Sequence, residues 1–376
     1  MGRIKVFHFL FRVGSGGVEQ RRLSLARKLD PERYDQKLIC TDAWGGLPEQ
    51  FADAGCEVID VGQIRHIADV CVYRNALKHI QQWQPDIIHG AVYEGVALAA
   101  IAGRLGKVPI IIGEETSDPV NRRWSGHLLY RILSSMTHHM VAVSPAVRDY
   151  LIKKIHIPAS KVTLINNGVA EPPAASAVEV MALRERYGLT NAHFVIGTVG
   201  RLLDSHKRVS DLIRALLIVR EYCPHACLLV VGSGPDESML RQLASDLQVA
   251  DAVHFAGYQV NPQPYYALMD VFTLASAAEA FGLVLVEAMF AELPVVATRV
   301  GGIPTVVLEG DTGLLVEPGE PSSLANALLK LESSSDLRSG MGKKGRTRAL
   351  ARFSAARYVD DVDQLYQRLA SKRFAA

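Results

Sequence analysis

Short apolar runs alternate with helical patterns along this chain, and the alternation stops near the middle and begins again. The interruption covers residues 170–177, where Pro172 and Pro173 stand among four alanines. Apolar strands that alternate with helices are typical of a parallel sheet whose two faces are both covered by helices. The sequence therefore predicts an α/β protein with two doubly wound, Rossmann-like domains.

Each half has its own series of short apolar runs, and we expect each run to be a buried strand. In the first half these strands are expected at residues 4–10, 37–40, 58–61, 87–88, 110–112, 141–143 and 162–165. In the second half they are expected at residues 195–199, 227–231, 253–255, 271–274, 294–297 and 314–316. Since ligands of such sheets bind beyond the carboxyl ends of the strands, a cleft between the two domains is the expected site.

The interruption and the end of the chain set the expected domain limits. A chain of 376 residues is too long for one ordinary domain and is suited to two. Residues 1–172 are expected to form the N-terminal domain and residues 173–354 the C-terminal domain. Residues 355–376 carry a last amphipathic helix, which we expect to return toward the N-terminal domain.

Charge is distributed unevenly between the two halves, although the whole chain has a formal net charge of only +2. Residues 1–170 hold 21 Lys and Arg against 16 Asp and Glu, and the remainder holds 20 against 23. A surplus of this size is too small to indicate a nucleic-acid partner. It suits an ordinary solvated surface, or a face of the N-terminal domain that approaches an anionic membrane or a phosphorylated acceptor.

The five cysteines are an odd number without the spacing of a disulfide framework, which favours a reduced, cytoplasmic compartment. Residues 1–10 have the pattern of a strand rather than of a signal peptide. No apolar run reaches the roughly 18 residues that a membrane-spanning helix needs. We therefore expect a soluble protein, or at most a peripheral one at the inner face of the cell membrane.

Residues 276–287, SAAEAFGLVLVE, are the most informative stretch for the chemistry. They follow a predicted strand, turn at Phe281 and Gly282, and continue into a helix. A glycine at such a turn lets the backbone approach a ligand, and the first N–H groups of a helix can bind phosphate. Glu279 and Glu287 flank the turn eight residues apart, a spacing that could place one carboxylate on a sugar and the other on a ribose.

The motif Glu-x-Phe-Gly-x4-Glu, followed here by Ala288 and Met289, resembles the donor-site signature of family 4 of the retaining GT-B glycosyltransferases, also called glycosyl transferases group 1. Further matches extend over nearly the whole chain. They are Gly200 and Arg201 with Lys207, the glycine turn at residues 231–235, residues 255–257, 265–270, 301–302 and 313–318, and, in the first half, residues 16–19 and 167–169. The resemblance implies a GT-B fold, in which the two Rossmann-like domains face each other across a cleft.

The resemblance implies a role for each charged side chain of these motifs. Arg201 and Lys207 would hold the donor diphosphate. Glu287 would bind the ribose of the nucleotide, and Glu279 would hold the transferred sugar. The chemistry agrees with this assignment, because breaking a glycosyl–phosphate bond develops negative charge on the leaving diphosphate. Two cations and a helix start stabilise that charge, so we expect neither a metal ion nor another cofactor.

Turns supply the other donor contacts that the resemblance implies. Their backbone N–H groups would approach the sugar and the phosphates. The residues concerned are Gly16, Gly17, Gly232, Ala280, Phe281, Gly282 and Leu283. The departing phosphate would then take the proton of the acceptor hydroxyl on the same face of the sugar, which retains the anomeric configuration.

Two positions have two interpretations each. Many relatives carry a histidine near the reacting sugar, at the position where this chain has Glu115. Either Glu115 supplies a carboxylate to the sugar ring or that hydrogen-bonding role lies elsewhere. His89 follows a predicted strand at the expected cleft, where it either contacts the acceptor or packs inside the domain.

The resemblance implies transfer of a hexose or an N-acetylhexosamine from a UDP- or GDP-sugar to a saccharide or lipid-linked saccharide, in cell-surface polysaccharide biosynthesis. An NAD-dependent oxidoreductase is the alternative, since residues 14–19 approach the dinucleotide fingerprint, although Glu19 stands at its third glycine. A second alternative is a relative that binds nucleotide sugars without catalysis. Asp361-x-Asp363 matches the metal motif of another glycosyltransferase fold, but its place in the last helix predicts a solvated helix face.

Overall fold

Buried apolar strands form two separate parallel sheets in the computed structural model, which describes residues 2–14, 16–64, 69–117 and 122–374. The chain divides into two compact units. The first unit consists of Met1–Ala170 and Ala355–Ala376, and the second unit of Glu171–Ser354. Each unit contains one of the sheets, together with helices that connect consecutive strands.

The sheet of the first unit has seven strands: β1 (Ile4–Phe9), β2 (Tyr34–Cys40), β3 (Glu57–Asp60), β4 (Ile87–Ala91), β5 (Ile110–Glu115), β6 (His139–Ala142) and β7 (Val162–Leu164). They are parallel throughout and lie in the order β3-β2-β1-β4-β5-β6-β7. Successive side chains of a strand point to opposite faces, so Val6 packs in one core while Phe7 and Phe9 pack in another.

Helices cover both faces of this sheet. They are α1 (Gly17–Lys28), α2 (Leu47–Asp53), α3 (Val70–Trp83), α4 (Val92–Leu105), α5 (Trp124–Ser135) and α6 (Pro145–Asp149), which continues as a π-helical turn, Tyr150–Lys154. Apolar residues of α3 and α4 pack with Phe7, and those of α1 pack with Val6. Helices on both faces explain why the strands are apolar along their whole length.

The sheet of the second unit has six parallel strands: β8 (Phe194–Val199), β9 (Ala226–Val231), β10 (Val253–Gly257), β11 (Val271–Leu274), β12 (Val295–Thr298) and β13 (Gly313–Val316). Their order is β10-β9-β8-β11-β12-β13. The helices are α7 (Ala177–Arg186), α8 (Asp204–Lys207), α9 (Val209–Tyr222), α10 (Glu237–Asp246), α11 (Gln263–Tyr266), α12 (Leu283–Phe290), α13 (Ile303–Val306), α14 (Pro321–Glu332) and α15 (Ser335–Phe353).

The last helix, α16 (Ala355–Phe374), belongs to the first unit. At its start, the backbone N–H of Ala355 donates a hydrogen bond to the carbonyl of Val169 (2.9 Å). Tyr358 and Tyr366 are buried in the same core as Val6. The helix therefore supplies part of the interior of a sheet whose strands lie some two hundred residues or more earlier in the sequence.

Two parallel sheets with interleaved helices confirm the predicted α/β class, and every predicted apolar run overlaps a strand. The apolar pattern does not predict α2, α5 or α7. Helix α7 has no buried residue, and α5 leaves several large apolar side chains exposed, so neither shows the usual periodicity of a core helix. Within the described part of the chain, no helix is both long enough and apolar enough to cross a membrane.

Candidate active site

Strands β8 and β11 are neighbours at the centre of the second sheet, and the strand order reverses between them. Loops that leave the carboxyl ends of strands at such a reversal diverge and leave room for a ligand. The loop after β8 carries Gly200 and Arg201, and the loop after β11 carries Glu279 and leads to Gly282. The fold therefore brings the two predicted donor motifs to the same edge of one sheet.

The turn at Gly282 requires glycine and starts a helix. Gly282 has a φ of +92°, and a β-carbon there would lie 2.6 Å from the side chain of Leu285. Helix α12 follows from Leu283 and has no side-chain cap. In its first turn the N–H of Leu285 donates to the carbonyl of Gly282 (3.0 Å), whereas the N–H groups of Leu283 and Val284 precede the first carbonyl that the helix can offer them. The ring of Phe281 is buried and packs edge-on against Phe353, with centroids 5.5 Å apart. The side chain of Phe281 thus anchors the loop after β11, and only the backbone of this residue can donate a hydrogen bond to a ligand.

Lys207 and Glu279 form an ion pair at this edge. The lysine Nζ lies 2.5 Å from Oε2 of Glu279, and the two side chains are 25% and 16% exposed. Backbone hydrogen bonds hold the two segments at this edge, since the N–H of Ala277 donates to the carbonyl of His206 (2.8 Å) and the N–H of Gly302 donates to the carbonyl of Glu279 (2.7 Å). The motif predicts that both residues face the donor, but it does not predict that they bind each other.

Arg201 lies beside this pair in the sequence motif and has a different environment. Its side chain is exposed and forms no ion pair with any residue that the structure describes. A β-carbon on Gly232, whose φ is +136°, would lie 1.9 Å from the carbonyl oxygen of Gly200. Gly232 therefore acts by letting the turns after β8 and β9 pack backbone against backbone, next to Arg201.

Glu287 lies on α12 and is partly buried. Its Oε2 accepts a hydrogen bond from the hydroxyl of Tyr266 at 2.8 Å, and Tyr266 itself is fully buried. Burial raises the pKa of Glu287, and the hydrogen bond from Tyr266 opposes that rise. Tyr266 is the one side-chain donor to Glu287 among the described residues, and a carboxylate with a single donor keeps the capacity to accept hydrogen bonds from further hydroxyl groups. Sequence reasoning missed Tyr266 as its partner, because nothing in the sequence links two residues on different helices.

The glycine loop of the first unit also precedes a helix without a side-chain cap. Gly16 is the residue before α1, and the helix begins at Gly17. The carboxylate of Glu19 folds back over this helix start, into the space that a β-carbon on Gly16 would fill. Burial raises the pKa of Glu19. The loop follows β1, where the strand order of the first sheet reverses toward β4, so a donor contact of Gly16 and Gly17 stays a prediction that the topology suits.

Glu115 ends β5 and is only 1% exposed. Its carboxylate accepts hydrogen bonds from the N–H (3.0 Å) and the hydroxyl (2.5 Å) of Ser117 and lies 3.3 Å from Nη1 of Arg122. Arg122 in turn donates to the hydroxyl of Tyr150 (2.8 Å) and lies over the ring of Tyr130. Both oxygens of the Glu115 carboxylate therefore already accept hydrogen bonds from neighbouring side chains. These contacts suit the interpretation in which the role of the family histidine lies elsewhere, and the choice between the two interpretations stays a prediction.

His89 has no exposed surface. Its Nδ1 is 2.8 Å from the hydroxyl of Tyr366, and its Nε2 is 3.3 Å from Glu114. Burial, reinforced by the guanidinium of Arg22, lowers the pKa of His89 to about 4. The acceptor contact suggested for His89 does not fit this environment, whereas the alternative of packing inside the unit does. His89 lies within β4 rather than after it, and its side chain is buried in the core.

Two arginines share the carboxylate of Glu114 inside the first unit. Nη1 of Arg21 lies 2.7 Å from Oε1, and Nη2 of Arg22 lies 2.6 Å from Oε2. Burial alone would raise the pKa of Glu114, but Arg22 and Arg21 hold it well below its usual value. Arg21 also donates to the carbonyl of Gly17 (3.4 Å) and to the side chain of Asn167. This cluster, missed from the sequence, ties the start of α1 to the end of β5 and to residue 167.

The described residues contain no group of three or more His, Cys, Asp or Glu side chains that could hold a metal ion. The two aspartates of Asp361-x-Asp363 lie on α16. Asp361 pairs with Arg357, and Asp363 accepts a hydrogen bond from the hydroxyl of Tyr34 (2.5 Å). The pair of Asp361 lies within α16 itself, and Asp363 ties the helix to β2 through Tyr34, so the two aspartates have separate partners. All five cysteines are free.

Solved structures with the same arrangement of strands show which fold this is. The chain matches HepE of Anabaena, solved in complex with UDP and glucose, with a TM-score of 0.86 at 21% identity over 97% of this chain and 100% of that one. It matches WaaG, a glycosyltransferase involved in lipopolysaccharide biosynthesis, with a TM-score of 0.74 at 18% identity over 96% and 99% of the two chains. The fold is therefore that of the GT-B glycosyltransferases.

Comparison of the sequence with models of protein families identifies the family within the glycosyltransferases. Residues 193–334 match Glycosyl transferases group 1, and residues 15–171 match Glycosyltransferase Family 4. The chain belongs to family 4 of the glycosyltransferases, the glycosyl transferases of group 1. The resemblance of the Glu279–Glu287 motif is thereby confirmed at the level of the family.

Individual relatives differ in how much of the chain they match. N-acetyl-alpha-D-glucosaminyl L-malate synthase of Bacillus anthracis is 34% identical over 50% of this chain and 49% of its own length. The capsular polysaccharide biosynthesis glycosyltransferase CapM of Staphylococcus aureus is 29% identical over 64% of each. UDP-Gal:alpha-D-GlcNAc-diphosphoundecaprenol alpha-1,3-galactosyltransferase of Escherichia coli is 24% identical over 97% of each. The chain thus spans about half of the first relative and just under two thirds of the second.

Proposed function

We propose that this chain is a retaining glycosyltransferase that moves a hexose or an N-acetylhexosamine from a UDP- or GDP-sugar to a saccharide or lipid-linked saccharide. The proposed setting is the biosynthesis of cell-surface polysaccharides. Similar proteins support the substrate classes: HepE was solved with UDP and glucose, and the name of the Escherichia coli relative gives UDP-Gal as donor and a diphosphoundecaprenol-linked sugar as acceptor. In this proposal, residues 173–354 bind the donor and residues 1–172 bind the acceptor.

One observation carries the proposal. At the strand-order reversal of the second sheet, three groups follow the carboxyl ends of β8 and β11: the exposed side chain of Arg201, the ammonium of Lys207 at the end of α8, and the start of α12 after Gly282. Backbone N–H groups and cations in this arrangement suit a nucleoside diphosphate. They would stabilise the phosphate oxygen that receives the electron pair when its bond to the anomeric carbon breaks. The two cations would neutralise the leaving group, so no metal ion is proposed.

The Lys207–Glu279 pair is proposed to open when the donor binds. A phosphate competes for the ammonium of Lys207, and the carboxylate of Glu279 then accepts hydrogen bonds from hydroxyl groups of the sugar. The acceptor oxygen forms its bond to the anomeric carbon on the face from which the diphosphate departs. Its proton passes to the departing phosphate oxygen, so the configuration is retained and the charges balance.

Glu287 is proposed to accept hydrogen bonds from the ribose hydroxyls, in an orientation that Tyr266 fixes. In the first unit, the backbone of Gly16 and Gly17 is proposed to contact the diphosphate and the acceptor. Glu115 is proposed to hold the turn after β5 through Ser117 and Arg122 rather than to touch the sugar.

Thermal stability measured with UDP-, GDP-, ADP- and TDP-sugars tests the donor site. A ligand present at a hundred times its Kd stabilises the folded state by roughly 2.7 kcal/mol. We expect a UDP- or GDP-sugar to give this response, and Glu287→Ala to remove most of it. Glu221→Ala is the matched control, since Glu221 is exposed and forms no ion pair with the described residues.

Turnover tests the reaction itself. We expect release of nucleoside diphosphate that depends on an acceptor, and an NMR coupling of the product's anomeric proton that shows the configuration of the donor. A product of opposite configuration would contradict the retaining mechanism. Stabilisation by NAD but by none of the nucleotide sugars would contradict the class of donor. Donor binding without release across an acceptor panel would instead favour a relative that has lost catalysis.

A further inference from the structure

Helix α5 exposes a stripe of large apolar side chains. Trp124 is 78% exposed, Leu128 50% and Ile132 52%. A spacing of four residues places all three on one side of the helix. The opposite side is used for the core, where Tyr130 and Leu133 are buried. Single exposed apolar residues are ordinary, but three in a row that include an indole form a continuous surface.

Basic residues surround this stripe. Arg123 and Arg131 are both exposed, and Arg131 lies one turn after Leu128 on the same side of the helix. Helix α5 contains no acidic residue. The hydroxyl of Tyr150 accepts a hydrogen bond from Arg122 (2.8 Å), so the π-helical turn that begins at this tyrosine packs beside the start of α5. That turn carries two further exposed cations, Lys153 and Lys154.

The positive surplus of the first half comes from this region. Residues 118–161 hold seven Lys and Arg against two Asp, whereas the other residues of 1–170 hold fourteen of each sign. The cations are Arg122, Arg123, Arg131, Arg148, Lys153, Lys154 and Lys161. An apolar stripe with an indole, flanked by cations and free of acids on its own helix, has the composition of a surface that enters the headgroup region of an anionic bilayer.

We propose that Trp124, Leu128 and Ile132, together with Arg123 and Arg131, dock the first unit on an anionic membrane surface. The five residues are called the α5 face below. A second copy of this chain suits the face less well, because a symmetric contact would set the arginines of one α5 against those of the other without an acid to pair them. The docking goes beyond the proposed glycosyl transfer and does not depend on it.

Cosedimentation of the full chain with vesicles tests the proposal. We expect binding to vesicles of phosphatidylcholine mixed with phosphatidylglycerol, weaker binding at higher salt, and little binding to phosphatidylcholine alone. Arg123→Gln with Arg131→Gln should weaken the binding by roughly fivefold for each arginine. Trp124→Ser with Leu128→Ser should weaken it by roughly tenfold or more. Matched controls are Val260→Ser, which removes an exposed apolar side chain (89% exposed) from the second unit, and Lys330→Gln, which removes an exposed cation there.

Three results would overturn the docking. One is equal binding of the native chain to neutral and anionic vesicles, and another is unchanged binding of both double variants. The third is a lipid-free dimer, seen by analytical ultracentrifugation, that Trp124→Ser with Leu128→Ser dissociates while vesicle binding is absent. Circular dichroism and the thermal response to nucleotide sugar check that the variants are folded. Because vesicle binding needs no turnover, a failure of the proposed transfer and a failure of the docking are separate results.

Discussion

Replacement of Glu114 by glutamine should be the most destabilising single change in the first unit that leaves the size of the side chain unaltered. The carboxylate lies 2.7 Å from Arg21 and 2.6 Å from Arg22, and none of the three side chains is more than 3% exposed. Removing one partner of a buried ion pair costs about 3–5 kcal/mol, because the other charge stays buried without compensation. At about 2–4 °C for each kcal/mol in a unit of this size, the melting temperature should fall by about 6–20 °C.

Arg21→Met is the matched comparison, because the cluster holds two cations for one anion. Removing Arg21 leaves Arg22 and Glu114 paired one to one, so no buried charge loses its compensation. The expected cost is about 1–2 kcal/mol, mainly from the hydrogen bonds that Arg21 makes to Gly17 and Asn167. If the cluster is held by charge, Glu114→Gln should lower the free energy of unfolding more than Arg21→Met does. This order, rather than either value alone, distinguishes charge compensation from side-chain packing.

Urea unfolding followed by circular dichroism measures both costs, with Glu32→Gln as an exposed acidic control in the same unit. A folded-state pKa below the usual value means that Glu114 stabilises the protein above its unfolded pKa of about 4.5 and loses this effect only as the pH falls through the lower folded value. The difference between the native chain and Glu114→Gln should therefore persist at mildly acid pH. A cost for Glu114→Gln no larger than that of Arg21→Met would refute the reasoning.

Three further predictions concern the remaining charges. Glu279→Gln should tighten the binding of free nucleoside diphosphate, since Lys207 loses the carboxylate that competes with phosphate, while the rate of transfer falls; calorimetry and turnover measure the two effects. Tyr266→Phe should weaken nucleotide-sugar binding, and the loss should be larger at acid pH, because without the hydrogen bond from Tyr266 the pKa of Glu287 rises further. Binding measured against pH would contradict this prediction if the variant lost the same affinity at acid and at neutral pH. Folding stability should fall as the pH drops from about 6.5 toward about 4, because His89 becomes protonated in the unfolded chain while it stays neutral in the folded one. His89→Gln should therefore make the melting temperature less dependent on pH in this range.

The sequence was sufficient to predict the strands and the turn at Gly282, because both depend on local patterns. Apolar runs such as residues 110–112 are continuous where helices cover both faces of a parallel sheet, and each coincides with a strand. The turn at Gly282 requires a positive φ that glycine adopts readily, so a glycine between a strand and a helix was a strong signal. The family resemblance assigned Lys207 and Glu279 to one site, and the structure brings the two side chains together as an ion pair. Their roles toward a donor stay a prediction.

Contacts between distant segments could not be predicted. Arg21 and Arg22 are consecutive charged residues on a helix, which usually indicates a solvated face, and only the fold shows Glu114 between them. His89 ends up buried because Tyr366, 277 residues later, closes over it. Helix α5 was missed for the opposite reason. Its apolar residues divide between the core and the solvent, so the period that marks an amphipathic core helix is blurred.

The cluster of Glu114 with its two arginines and the pair of Lys207 with Glu279 differ in burial, and burial decides whether their charged partners can be exchanged. Both oxygens of Glu114 are bound by guanidinium groups that no ligand can reach, so its partners cannot be exchanged without leaving a bare charge in the interior. Lys207 and Glu279 remain 25% and 16% exposed, so water or a phosphate can replace one partner at modest cost. Arg201 is exposed and without an ion pair among the described residues, and in the proposed function it attracts the diphosphate before that exchange takes place. A scaffold needs charges with fixed partners and a binding site needs charges with exchangeable ones, which is why Glu279, and not Glu114, is the acid that we place beside the donor.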